Sequence, residues 1–209
     1  MKNQIELMEE IIDTAYKLLT HKLACGGLTA KNESAFQLEF GNILKTLGRL
    51  YEFRLVDKFH LEFETSIPLN EPSVKSQSNR ARIDLLIEYK DDNNSTKAAI
   101  ELKYFKKKNH REPNNRYDVF KDISNLELYK SNGIDLCYFI LVTDHKHYYY
   151  QDNYSSDTAD FDLRDGQKYT AGKMLKYNTS KPYENISLKQ DYTFRWDKIG
   201  DLYFLKLRV

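Results

Sequence analysis

Apolar residues recur every three or four positions in three parts of the chain, which is the spacing of an amphipathic helix. The first part covers residues 3–20 and the second covers residues 33–50. The third covers residues 114–131 and stops at Asn132-Gly133, a common signal for the C-terminus of a helix. We therefore expect three helices, each with one buried face.

Strand patterns lie between and after these helices. Residues 59–67 alternate apolar and acidic side chains, which predicts a half-exposed strand. Two strand-like runs from Ala81 to Phe105 flank the turn sequence DDNNST, and DLCYFILVTD is typical of a central strand buried on both faces. DYTFRWD and DLYFLKLRV predict two strands at the C-terminal end of the sequence. The polar segment 68–79 contains two prolines and predicts a loop that could form a flexible flap.

This order of elements predicts one mixed α/β (α+β) domain over residues 1–209. A chain of this length can bury a single core, and it shows neither an internal repeat nor a linker. Residues 1–20 would be an N-terminal helix. Residues 150–209 would be a C-terminal elaboration with extra strands, and its polar first part gives no clear pattern.

Three ionised side chains interrupt the apolar pattern of the two central strands. Asp84 lies in the first of them, and Glu101 and Lys103 lie in the second. Because side chains alternate faces along a strand, Glu101 and Lys103 share one face. By the same alternation Ile83 and Leu85 share the face opposite to Asp84.

The hairpin register would bring the two acids together. With Asp92 and Asn93 at the centre of the turn, Asp84 faces Glu101 across the strand pair. Facing carboxylates repel each other, so this register makes sense when a divalent cation lies between them. Mg²⁺ binds one or two protein carboxylates and takes its other ligands from water and phosphate. The alternative is a surface ion cluster in which Lys103 neutralises Glu101.

These residues, in this order of elements, resemble the PD-(D/E)xK nuclease superfamily. The match consists of Asp84 in one strand and Glu101-Leu102-Lys103 in the next, within residues 33–144. The residue before Asp84 is isoleucine, where the nominal family pattern has proline. The resemblance implies a restriction-endonuclease-like αβββαβ core, with a central mixed sheet flanked by helices. It also implies Mg²⁺-dependent hydrolysis of phosphodiester bonds in DNA, with Mn²⁺ as a substitute, in restriction, repair, recombination or phage defence.

The resemblance also implies roles for individual residues. Asp84 and Glu101 would ligate the metal, together with the backbone carbonyl of Leu102. Lys103 would orient or help to deprotonate the attacking water and would stabilise the charge that develops on the phosphate.

Members of the superfamily often add a glutamate from the first helix of the core. Glu33 and Glu39 both flank the apolar stripe of the helix predicted over residues 33–50. We favour Glu33 as the catalytic residue, although either side chain could be solvated instead.

Basic residues are concentrated near the motif, although the formal net charge of the chain is only +1. Contacts between such side chains and a phosphate backbone give affinity without sequence information. A solvated loop is the alternative interpretation. The candidates for binding nucleic acid are Arg80, Arg82, Lys106, Lys107, Lys108, Arg111, Arg116 and Lys121.

Other features add little to this interpretation. His145 and His147 would share one face of a strand, but two histidines without a third ligand give weak support for a metal site. No apolar stretch reaches the roughly 20 residues that span a bilayer. The N-terminus lacks the apolar segment of a signal peptide. We therefore expect a cytoplasmic protein that does not associate with a membrane. Its expected partner is DNA.

A homodimer is a further expectation, because a two-fold pair of sites is the simplest way to cut both DNA strands. Two alternatives to a DNA endonuclease remain open. One is a catalytically inactive nuclease fold that binds nucleic acid or serves in assembly. The other is a structure-selective nuclease or an RNase with the same core.

Overall fold

A computed structural model describes residues 3–73, 78–178 and 184–209 of the chain. Three long helices form where the apolar periodicity predicts them: α1 (Gln4–Ala24), α2 (Glu33–Leu50) and α3 (Glu112–Ser131). Asn3 and Asn32 begin α1 and α2 by accepting backbone N–H bonds from the first helical turn. Helix α1 ends later than predicted, because Leu23 extends its buried stripe by one more turn.

The strands are also close to their predicted positions. Their bounds, with one short helix, are β1 (Lys58–Pro68), β2 (Arg80–Lys90), β3 (Ser95–Phe105), β4 (Leu136–Thr143), α4 (Lys146–Tyr149), β5 (Lys168–Tyr169), β6 (Tyr192–Thr193), β7 (Trp196–Ile199) and β8 (Leu202–Arg208). The predicted loop at residues 68–79 connects β1 to β2, and its residues 74–77 lie outside the described part of the chain.

Six of these strands form one mixed sheet in the order β1-β2-β3-β4-β8-β7. Among the strands that the structure describes, only β3 and β4 pair in parallel, and α3 connects them. Every residue of β4 is buried, which confirms the predicted central strand. The expectation of a mixed α/β domain with a central sheet flanked by helices is therefore confirmed.

Each face of the sheet buries its own hydrophobic cluster. One cluster packs beneath α1 and α2 and includes Leu85 and Ile100. The other packs beneath α3 and includes Phe120. The C-terminal segment, whose first part the pattern left unclear, contributes Phe161 and Phe194 to this second cluster, while β7 and β8 extend the sheet beside β4. The C-terminal segment is thus part of the hydrophobic cluster beneath α3.

Two glycines let α2 approach β1 closely. A Cβ atom built on Gly41 would lie 2.4 Å from the ring of Phe63, and one built on Gly48 would lie 2.3 Å from the ring of Phe59. Both distances are far below van der Waals contact, so the two phenyl rings occupy the space that larger side chains would need. This packing fixes the distance between α2 and the sheet.

One expected strand is a short helix instead. His145 begins α4, and the His147 backbone N–H points toward the His145 ring nitrogen. The expectation that these two histidines share one face of a strand is therefore wrong. Within the described ranges, no helix combines the length and the apolar composition needed to cross a membrane.

Candidate active site

The β2–β3 hairpin has the register that the turn sequence predicts. Cα partners run from Lys90 and Ser95 next to the turn to Leu85 and Ile100. The turn is held by the Asp91 carboxylate, which accepts two backbone N–H bonds within it. The ladder ends one pair short of Asp84 and Glu101, so the predicted opposition of these two residues is not part of the backbone pairing.

Asp84 lies where β2 loses regular pairing on both sides. The β1–β2 ladder skips the position of Glu64, opposite Asp84, and the backbone of Glu64 is left-handed with a φ of 53°. The side-chain amide of Gln37 on α2 donates to the backbone carbonyl of Asp84 at 2.6 Å. A break of this kind beside a cluster of charges is common at the functional sites of sheets.

The break also changes which way neighbouring side chains point. Ile83 packs in the cluster beneath α3, whereas Leu85 packs in the cluster beneath α1 and α2. The expectation that these two residues share one face is therefore wrong, because strict alternation requires a regular strand.

The carboxylate of Asp84 takes the place of a backbone partner. Its Oδ2 atom accepts the backbone N–H of Leu102 at 2.7 Å. The side chain of Asp84 therefore lies directly against the Glu101–Lys103 segment. The hydrogen bond holds the carboxylate in place and satisfies a backbone donor of β3 at the point where the ladder has ended.

Glu101 is completely buried on the side of the sheet that faces α3. Its Oε1 atom accepts a hydrogen bond of 3.0 Å from the hydroxyl of Tyr129. Burial raises the pKa of the Tyr129 hydroxyl, and the neighbouring Glu101 carboxylate raises it further. Tyr129 therefore remains a hydrogen-bond donor to Glu101 at neutral pH.

Lys103 lies between two acids. Its Nζ atom is 3.0 Å from Asp122 and 3.6 Å from Glu33, and the side chain is only 13% exposed. Burial alone would lower the pKa of this ammonium group, but the surrounding carboxylates outweigh burial, so the pKa of Lys103 is raised and the group stays protonated. In order of effect, those carboxylates belong to Asp122, Glu33, Asp84 and Glu101.

The two candidate glutamates of α2 differ in position. Glu33 contacts Lys103, and its Oε2 atom also accepts the backbone N–H of Tyr104 at 3.2 Å. No contact of Glu39 with these residues is seen in the described part of the chain. The structure thus brings Glu33 to the site. Gln37 follows it by one helical turn, and this spacing alone could have identified Gln37 as a neighbour.

Helix α3 contributes residues that the sequence analysis did not single out. We expected Lys121 to contact nucleic acid, but Lys121 lies 3.4 Å from Asp118 on its own helix. The next residue, Asp122, is the one that reaches Lys103. The available signal was an acid and a tyrosine, Asp122 and Tyr129, two helical turns apart on one face of the helix.

The donor atoms at this site suit a hard divalent cation. Asp84 and Glu101 offer carboxylate oxygens. The backbone carbonyl of Leu102, the residue after Glu101, accepts a hydrogen bond of 3.3 Å from the Lys103 ammonium. Among the described residues no group of three or more His, Cys, Asp or Glu side chains is arranged to hold a metal ion. Two carboxylates are nevertheless the usual protein contribution to a Mg²⁺ site.

Two clefts adjoin the acids. One has a volume of about 440 Å³, and its lining includes Asp84, Arg80 and Arg82. Arg82 forms an ion pair with Glu64, and the Arg80 guanidinium donates to Ser66 at 3.3 Å. The structure therefore places both arginines beside Asp84, as the sequence predicts.

The second cleft has a volume of about 500 Å³ and is rich in basic residues. Its lining includes Lys103, Glu33, Lys31, Lys106, Lys108 and Arg111. Lys107 is exposed on the same short helical turn as Lys108 but is not part of the lining. Lys106 is also engaged with the protein, because its Nζ atom donates to the backbone carbonyl of Lys31 at 2.8 Å.

Arg116 does not belong to this basic surface. Only 1% of it is exposed, and its guanidinium donates to the backbone carbonyls of Thr158 and Phe161 and lies 3.5 Å from the centre of the Tyr154 ring. The expectation that Arg116 contacts a phosphate backbone is therefore wrong. Its guanidinium instead holds the C-terminal segment against α3.

Comparison of the chain with protein-family models, with curated proteins and with solved structures finds no match. The function must therefore be argued from the geometry and chemistry of the site.

Proposed function

We propose that this protein is a metal-dependent endonuclease that hydrolyses phosphodiester bonds in DNA, on a restriction-endonuclease-like core, in a process such as restriction or phage defence. One observation carries the proposal. Asp84, the Glu101–Lys103 segment and Glu33 meet where β2 and β3 separate, and the Lys103 ammonium is held among carboxylates. Ionised groups gathered at such a break are costly for a structural protein and useful for a hydrolase.

The acids would hold the cation. Asp84 and Glu101, with the Leu102 carbonyl, would ligate Mg²⁺, or Mn²⁺ in its place. The bound ion supplies Lewis acidity toward the scissile phosphate. The hydrogen bonds from the Leu102 N–H and the Tyr129 hydroxyl keep the two carboxylates in fixed positions before substrate binds.

Lys103 would act as a cationic hydrogen-bond donor. Because its ammonium stays protonated, it can orient the attacking water and stabilise the negative charge that grows on the phosphate oxygens. Glu33 lines the basic cleft together with Lys103, where a carboxylate can accept a proton from water. The arginines and lysines of the two clefts would bind the flanking phosphates without reading sequence.

The test is a cleavage panel. Plasmid, single-stranded DNA and RNA are incubated with Mg²⁺, Mn²⁺ or EDTA. We expect metal-dependent cleavage of DNA, reduced at least about 100-fold in Asp84→Asn and Lys103→Ala. Asp201→Asn and Lys168→Ala change exposed residues of the same charge elsewhere, and we expect them to cleave normally.

The same panel distinguishes the proposed function from its alternatives. Cleavage that persists in EDTA, or that survives Asp84→Asn, would refute the proposal. Cleavage of RNA in place of DNA would identify an RNase, and cleavage confined to single-stranded DNA would identify a structure-selective nuclease. Tight binding without cleavage would favour an inactive binding or assembly module. Sedimentation of the protein with and without duplex DNA would test the proposed homodimer.

A further inference from the structure

Helix α3 presents two polar side chains to β3, two helical turns apart. Asp122 lies 3.0 Å from the Lys103 ammonium, and the Tyr129 hydroxyl donates to Glu101 at 3.0 Å. The helix is antiparallel to β3 because it returns the chain for the parallel strand β4. The later helical residue therefore meets the earlier strand residue, so that one helix face holds both members of the motif.

All of these contacts are shielded from water. Asp122 is 1% exposed, and Tyr129 and Glu101 are 0% exposed. Glu33 also contacts Lys103, but from a longer distance and with a side chain that is 46% exposed. Charge interactions are stronger and hydrogen bonds more directional in a shielded environment. Asp122 is therefore placed to hold Lys103 more firmly than Glu33 does.

The depth of α3 is fixed independently of these polar contacts. Ile123 and Leu126 of the helix are fully buried in the hydrophobic cluster beneath it. Phe120, also on α3, packs edge-on against Phe161 and Phe194. Since the apolar side chains set the position of the helix, changing a single polar atom on Asp122 or Tyr129 should leave the fold intact.

We infer that Asp122 and Tyr129 are positioning residues, Asp122 for the ammonium group of Lys103 and Tyr129 for the carboxylate of Glu101; this inference rests on the proposed function. The two residues act on different parts of the reaction. Tyr129 sets how tightly the site binds its cation, because it orients a ligand. Asp122 sets how fast bound substrate reacts, because it orients the cationic donor.

The experiment uses two nearly isosteric variants of the full chain, Asp122→Asn and Tyr129→Phe. Two matched controls change the same residue types elsewhere. Asp57→Asn alters a buried acid that pairs with an arginine. Tyr192→Phe alters a buried tyrosine that donates to the Glu127 carboxylate at 2.9 Å. Mn²⁺ binding without DNA, the single-turnover cleavage rate at saturating Mg²⁺, and the melting temperature are measured for each.

We expect Tyr129→Phe to weaken Mn²⁺ binding by about 10-fold or more, since loss of an outer hydrogen bond to a ligand has effects of that size. We expect Asp122→Asn to lower the cleavage rate by a similar factor while changing Mn²⁺ affinity much less. In a Lys103→Ala background, Asp122→Asn should have no further effect on the rate, because its action passes through that lysine.

Each outcome decides the inference. If Tyr129→Phe binds Mn²⁺ as tightly as Tyr192→Phe does, or if Asp122→Asn slows cleavage equally with and without Lys103, the residues are structural and the inference is overturned. If the wild-type protein cleaves nothing but Tyr129→Phe still selectively weakens Mn²⁺ binding, the proposed nuclease function fails while the role of Tyr129 stands. A wild-type protein that neither binds Mn²⁺ nor cleaves overturns both.

Discussion

Replacing Gly48 with alanine tests whether the position of α2 depends on its contact with β1. The new Cβ would lie 2.3 Å from Cγ of Phe59 and 2.4 Å from both Cδ atoms, whereas ordinary contacts are 3.4–4 Å. The ring must therefore move by about 1 Å or the helix must lift. Phe59 is only 6% exposed, and the atoms that clash lie near the root of its ring, so neither movement is easy.

The expected magnitude follows from two opposing effects. Overpacking a core by one methyl group costs about 1–3 kcal/mol. Alanine in place of glycine stabilises a helix interior by about 0.5–1 kcal/mol. We therefore expect Gly48→Ala to lower the free energy of unfolding by about 0.5–2 kcal/mol, which corresponds to a few degrees in melting temperature for a chain of this size.

Urea unfolding with linear extrapolation measures this change. Gly41→Ala is the matched comparison on the same helix, since its Cβ would meet the far end of the Phe63 ring, which is 41% exposed and can swing away. We expect that variant to be close to wild type. Adding Phe59→Leu to Gly48→Ala should recover part of the loss. The reasoning is refuted if Gly48→Ala is as stable as wild type, or if Gly41→Ala is the more damaging change.

Three further predictions concern charged groups. Arg111 is exposed, so Arg111→Ala should weaken DNA binding, measured by fluorescence anisotropy, without lowering the melting temperature. Arg116 is buried, so Arg116→Met should lower the melting temperature. Glu127→Gln should cost about 2 kcal/mol in urea unfolding, since this buried carboxylate accepts two backbone N–H bonds and the Tyr192 hydroxyl; an unchanged midpoint would contradict this. Burial, and then the positive charge of Arg116, lower the pKa of His147 from 6.5 to about 4. The stability of the protein should therefore fall as the pH drops from about 6.5 toward 4. Melting temperatures of His147→Gln should depend less on pH in that range.

The sequence was sufficient to predict local structure. Apolar residues at helical spacing placed α1, α2 and α3 within a few residues of their observed bounds, and turn chemistry placed the β2–β3 register. These features depend on interactions between residues close together in the chain, and the residue types record such interactions directly. That Glu101 and Lys103 lie on the same face of β3 followed from strand alternation in the same way.

Long-range contacts decided what the sequence could not. Regular alternation of side chains failed at Ile83 because neither β1 nor β3 pairs with β2 at Asp84. This loss of pairing arises only when the strands assemble into the sheet. Arg116 is indistinguishable in sequence from the lysines and arginines around it, yet the chain near Thr158 closes over it and makes it part of the core.

The sequence by itself determined which strands carry the acids and the lysine, because period and turn residues are local properties. The tertiary structure alone decided which groups surround them. Asp122 reaches Lys103 because α3 crosses back over β3 to begin the parallel strand β4, and Gln37 reaches Asp84 because two glycines let α2 lie close to the sheet. Contacts of this kind depend on how whole elements pack, and no single stretch of residues records that packing.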